Sequence, residues 1–188
     1  MLTGTAVRRA SDEDIAVLST VVADSLMAGP VGAWLVPDAA ERPKVVRRYA
    51  DLVVRHGVEY GLVDTVDDHA AVAVWYHRRC RRHHDPRDAA GITSPSASWH
   101  GPHRRLGPWA DRFALLHAYV DEALPHTPHH YLAYLAAGPG QEAAASVLLT
   151  SHHDVLDVEG LPAYAEVSSA SPGESMLARL GYQPRSPI

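Results

Sequence analysis

The stretch HHYLAYLAAGPGQEAAASVLL, His129–Leu149, decides how the rest of this chain is read. HHYLAYLAA reads as a strand, Gly138-Pro139-Gly140 as a break, and the alanine-rich run after Gln141 as a helix. The loop between a strand and a helix N-terminus is a natural anion site, because unpaired backbone N–H groups and the helix dipole converge there. Such a cradle usually carries glycines, which let the backbone close around the anion. Here Ala143, Ala144 and Ala145 stand in their place. The stretch has the position of a phosphate cradle with much of the chemistry worn away.

Working outward, the elements on either side fall into order. Thr3 to Ala10 reads as a first strand. Ser11 with Asp14 makes a capping box ahead of a helix whose stripe is Ile15, Leu18, Val22 and Leu26. The loop AGPVGAWLVP ends that helix and holds Trp34. Asp38 with Glu41 starts a second helix, Pro43 fits its first turn, Val45, Tyr49 and Val53 form its apolar face, and Gly57 is placed as its stop. LVDTV and AAVAVWYH, joined by Asp67-Asp68-His69, read as a β-hairpin. A third helix covers about Pro108 to Leu124, a fourth about Gln141 to Val158. LPAYAEVS is a last strand, and a short helix runs from about Gly173 to Leu180. The order β-α-α-β-β-α-β-α-β-α predicts one α+β domain over residues 1–188, a single mixed central sheet flanked by helices.

Composition narrows the function classes. The chain has 188 residues, 46% hydrophobic and 21% charged, as expected of a globular domain. No apolar run is long enough to cross a bilayer, and the N-terminus has no signal-peptide core. One cysteine, Cys80, fits a reducing cytoplasm. A net charge of -5 gives no general attraction to nucleic acid or an anionic membrane. One lysine, Lys44, against many arginines, with abundant alanine, fits a GC-rich bacterial genome.

The exception is Arg78 to Arg105, a long His- and Arg-rich loop with seven arginines and two aspartates. His77, Cys80, His83, His84 and Asp85 form H-x-x-C-x-x-H-H-D, soft ligands at workable spacing. The spacing lacks a C-x-x-C, and the flanking arginines repel cations, so the pattern reads as a solvated basic loop and no metal is expected. Its arginines could instead receive an anionic substrate group. His126, His129 and His130 gather ahead of the central strand. His117 flanks an apolar helix face, His152 packs beside the core, and His153 is placed in solvent. Tyr131 and Tyr134, three apart on a strand, are expected on opposite faces.

The phrases VDDHAAVAVW, HHYLAYLAAGP, EGLPAYAEVSS and RLGY, in this order, resemble the GCN5-related N-acetyltransferase (GNAT) superfamily, and within it the puromycin N-acetyltransferase type. The resemblance covers most of the chain and is weakest across 78–105. It implies a GNAT-like fold binding acetyl-CoA or another acyl-CoA at the central strand and the loop after it. On this resemblance Leu135 and Ala137 hold the acyl carbonyl. Gln141, Ala143, Ala145 and Ser146 lie where the pyrophosphate would be gripped, although the family's glycines there are alanines. Leu177 stands at the family's proton-donating tyrosine, Gly173 at a pantetheine-contacting asparagine, and Ala133 at a frequent glutamate base. Seven residues after Gly181 are too few for the family's final strands, so the C-terminal strands are expected to be truncated.

A replacement set can be named. Glu166 lies where puromycin-type enzymes also keep a glutamate, and a carboxylate in a sheet needs a reason. Tyr134 is the candidate proton donor, with Glu166 or His130 as base. Trp34 and Tyr131 are the candidate substrate contacts. Three functions stand open at this point: an acyl-CoA-dependent N-acyltransferase acting on a small amine such as a secondary metabolite or antibiotic; a GNAT-fold enzyme that no longer uses acyl-CoA, and so has no cofactor of that kind; and a non-catalytic metabolite-binding protein. An exposed sheet edge predicts a homodimer.

Overall fold

The computed structural model describes residues 6–78, 104–166 and 176–185. Cys80, His83, His84, Asp85 and Gly173, singled out above, lie outside the described residues. The chain runs β1 (Val7–Arg9), a 3-10 turn (Asp12–Asp14), α1 (Ile15–Ala28), α2 (Pro30–Leu35), α3 (Arg42–Tyr60), β2 (Leu62–Val66) and β3 (Ala71–Arg78). It resumes with a kinked 3-10 segment (Arg104–Trp109), α4 (Ala110–Ala123), β4 (His129–Ala137), α5 (Glu142–Glu159), β5 (Ala163–Ala165) and α6 (Met176–Arg179).

The expected mixed sheet is present, in spatial order β1-β2-β3-β4-β5. β1 to β4 pair antiparallel, and β4 pairs with β5 in parallel through the α5 crossover. One face of the sheet packs on α1, α3 and α4 through Leu18, Val22, Tyr49, Val53, Val74 and Phe113. The other packs on α5 and α6 through Trp75, Leu132, Ala144, Ala145, Leu148 and Leu149. Each fully buried leucine or valine contributes about 1.5–3 kcal/mol by leaving water.

The capping box forms as its residues predict. The Ser11 N–H donates to Asp14 Oδ2 at 2.8 Å, and Asp14 also takes a two-pronged contact from Arg8. Two expectations fail for physical reasons. Gly57 does not end α3; a Cβ there would meet Val63 and Val74 side chains at 2.8 Å, so it lets the helix lie close on the sheet, and Gly61 follows the last turn. The loop AGPVGAWLVP is largely the short helix α2, with Pro30 at its first turn, where a missing N–H costs nothing.

Candidate functional site

Strand β4 positions the site, and one extra residue in it decides which side chains meet. Val74 lies opposite Tyr134 while Trp75 lies opposite Leu132, so Ala133 is the additional residue of a β-bulge. An unbroken strand would set Tyr131 and Tyr134 on opposite faces. The bulge puts them on the same face, toward α3 and α4, which corrects the expectation from spacing alone.

β5 pairs with β4 only at His130, Tyr131 and Leu132. Beyond the bulge, Ala133 to Ala137 keep β3 on one side and have no strand partner on the other among the described residues. The Gly138 N–H donates to Ala70 at 2.9 Å. Alternation along the strand therefore turns the N–H groups of Leu135 and Ala137 to the open edge.

Beside this edge lies a narrow recess of about 360 Å³ of empty space, its mouth included. It is lined by Tyr76, His117, Asp121, Tyr131, Tyr134 and Glu166, with Leu116, Val120 and Ala133 as its apolar part. Two hydrogen-bonded groups border it. Tyr131 donates its hydroxyl to Glu166 Oε1 at 3.0 Å. The hydroxyls of Tyr134 and Tyr49 hydrogen-bond each other, and Tyr49 also meets His117 Nε2 at 2.7 Å. Behind the wall, the Tyr76 hydroxyl meets His56 Nδ1 at 2.7 Å, and burial lowers His56 to about 4, so that ring is neutral.

Burial also sets the protonation of the lining. It pushes Glu166 up to about 7, and the Tyr131 hydrogen bond pulls part of the way back. A carboxyl at that value can both take and return a proton near neutrality. Tyr131 and Tyr134 are held well above 10, first by burial and then by Glu166 and Tyr49 respectively. Tyr134 is thus a hydrogen-bond donor that keeps its proton, which changes the part expected of it. Asp121 at the rim is paired with Arg78 at 2.6 Å.

The structure brings Tyr131, Tyr134 and Glu166 together and separates His130 from them. His130 points to the opposite face, where its partners are His152 at 3.0 Å and Glu159 at 2.9 Å. It cannot serve Tyr134 as a base from there. Trp34 is 43% exposed, covered by the Arg112 guanidinium, and is neither a wall of the recess nor a core anchor. His152 is buried as expected, stacked on Trp75 at 3.9 Å. His153 is not in free solvent; it meets the Tyr182 hydroxyl at 3.2 Å. Tyr49, Tyr76 and His117 were missed as site residues. The first two read as ordinary apolar positions, and the one signal was a histidine beside an apolar helix stripe.

The loop after β4 is only partly free. Ala144 and Ala145 are buried against Trp75 and Leu132, and their N–H groups donate to the Gln141 carbonyl at 3.0 and 3.3 Å. Ala145 therefore has no N–H to spare for an anion. Ser146, one residue further into the helix, gives its carbonyl to the Thr150 hydroxyl at 3.0 Å. Among the described residues the N–H groups of Glu142 and Ala143 have no backbone partner, and the chain reaches them through Gly140 at φ 73°. The exposed Glu142 carboxylate already offsets the helix dipole at this end.

No known family profile matches the chain, and no curated protein does. Solved structures do. A structure described as histone acetyltransferase HPA2 and related acetyltransferase, from Corynebacterium glutamicum ATCC 13032, is similar over 98% of this chain and 90% of its own, with TM-score 0.60 and 19% identity. A GCN5-related N-acetyltransferase from Ralstonia eutropha JMP134 is similar over 98% and 96%, with TM-score 0.56 and 12% identity. At such identities the likeness is one of fold.

Proposed function

We propose, from the premise that this chain carries the GCN5-related N-acetyltransferase fold, that it is an acyl-CoA-dependent N-acyltransferase acting on a small-molecule amine. The observation that carries the reading is Glu166, raised to about 7 and oriented by Tyr131, in a recess that Ala133 and Tyr134 of β4 also line. An acyl-CoA supplies the activated acyl group. The Glu166 carboxylate takes the proton of an incoming ammonium, and Tyr131 holds Oε1 so that the other oxygen faces the amine. The N–H groups of Leu135 and Ala137 are placed to receive a carbonyl oxygen as it gains charge. Tyr134, hydrogen-bonded to Tyr49, lines the recess and shapes the acceptor side. Glu142 and Ala143 offer the N–H groups left for a phosphate. No acid is required at Leu177, because a thiolate of pKa about 8.5 leaves without one. The Glu166 carboxylate favours a cationic amine over an anionic acceptor. The setting we propose is bacterial secondary metabolism in the cytoplasm, with the enzyme as a homodimer.

One observation favours a second reading. Glu142 at the helix start and the occupied N–H groups of Ala144 and Ala145 weaken the phosphate grip, as in a GNAT-fold enzyme that has given up acyl-CoA. Calorimetric titration with acetyl-CoA, and separately with CoA, decides between them. Micromolar binding is the expected outcome. No heat at millimolar ligand removes the acyltransferase reading and leaves the recess to other small-molecule chemistry.

A further inference from the structure

On the far face of the same strand the side chains make a different set. His77 on β3 lies directly across from His130 on β4, and their rings stack at 4.7 Å. Directly opposed residues on neighbouring strands have Cβ atoms about 5 Å apart, a spacing from which two imidazoles can reach one ion. Glu159, the last residue of α5, brings a carboxylate to the same point, with Oε2 2.9 Å from His130 Nε2. One ligand atom from each of the three lies within 4.8 Å of the other two. Ligand atoms around a tetrahedral zinc ion lie about 3.4 Å apart, so closing the set takes about an ångström of side-chain movement. Glu159, whose side chain is 41% exposed, and the half-buried His77 can supply it by rotation.

The surroundings match what a metal-binding histidine needs. His130 Nδ1 is held by His152 Nε2 at 3.0 Å, and His152 is fixed by its stack on Trp75. His152 Nδ1 faces Asp64 Oδ2 at 3.6 Å, and Asp64 is anchored to Arg9 at 2.9 Å. A partner on the far nitrogen orients the ring and frees Nε2 for an ion.

We infer that His77, His130 and Glu159 form a binding site for zinc or a similar divalent transition metal, with a fourth position open to water. Two nitrogens and one carboxylate suit zinc, cobalt or nickel and do not suit magnesium or calcium. The ligands come from two strands and a helix end, so the ion ties α5 to β3 and β4. His130 is next to Tyr131, and the same ion steadies the strand from which the recess is built.

The test uses the full chain, stripped of metal and titrated with zinc by calorimetry and with cobalt(II) by absorption. One equivalent is expected to bind, with a cobalt spectrum of nitrogen and oxygen ligands. His77→Ala and Glu159→Gln are each expected to weaken binding by at least about 10-fold. Neither residue is fully buried, so both variants should fold; His130, which is, is left alone. Absence of saturable binding below millimolar metal overturns the inference. So does unchanged affinity in both variants, or a thiolate-to-cobalt absorption band, which would place the ion on Cys80.

Discussion

The two faces of β4 carry two different sets of polar side chains. Toward α3 and α4 it presents Tyr131 and Tyr134, hydroxyls in a recess closed by a carboxyl near neutrality. Toward α5 it presents His130, one imidazole in a row of three with His77 and His152. The residues alternate along one backbone, yet neither face contributes a side chain to the other. The difference is set by Ala133. Were Ala133 paired in register instead of bulged out, Tyr134 would fall on the imidazole face, and the recess would lose one of its two tyrosines.

The comparison is sharpened by deleting Ala133. The pairs Val74–Tyr134 and Trp75–Leu132 then follow one another without a break, every side chain keeps its face, and the expected loss in urea unfolding is below about 2 kcal/mol. A loss above about 4 kcal/mol would mean that the strand slips in register and turns one half over. Glu166→Gln acts on one face only. Turnover should fall about 10²- to 10⁴-fold, and the limb of the wild-type pH–rate profile that rises through about 7 should vanish. The same change should stabilise the protein in alkali. Folding raises this carboxyl from 4.5 to about 7, so its ionisation counts increasingly against the fold as pH climbs through that window. A melting temperature above wild type at pH 8, with no gain at pH 4, is the expected pattern in calorimetric scans. Tyr49→Phe is milder. It removes the hydroxyl shared with Tyr134 and His117, costing about 1–3 kcal/mol in chemical denaturation, and should leave zinc affinity on the other face unchanged.

The strand–loop–helix from His129 to Leu149 was legible because apolar pattern, breakers and helix formers agree there; β4 runs His129–Ala137, as its sequence predicts. Glu166 was legible for a related reason: a carboxylate beside a buried strand is out of place unless it works. The pairing of Tyr131 with Tyr134 was not legible. The bulge residue is an alanine, with none of the glycine signal that marks many bulges, and a shift of one residue leaves no trace in an apolar run. Tyr49 was hidden differently. A tyrosine on a helical stripe with Val45 and Val53 reads as core, and only the fold shows that its hydroxyl ends at the recess. His130 misled because sequence adjacency to Tyr131 says nothing about facing the same way.

The manner in which β5 joins the sheet has a consequence for how the molecule assembles. β1 to β4 are linked antiparallel, and contacts between β2 and β3 span a short turn. The β4–β5 pairing joins His130 to Ala163 across the whole of α5. β5 lies C-terminal to every other strand, so a chain made from its N-terminus can form this pairing only last. Glu166 follows β5 directly, so the carboxyl reaches the recess only once that last pairing is made. A nascent chain can therefore bury its tyrosines and hold a core while the Glu166 carboxyl is still absent from the recess, which is completed late.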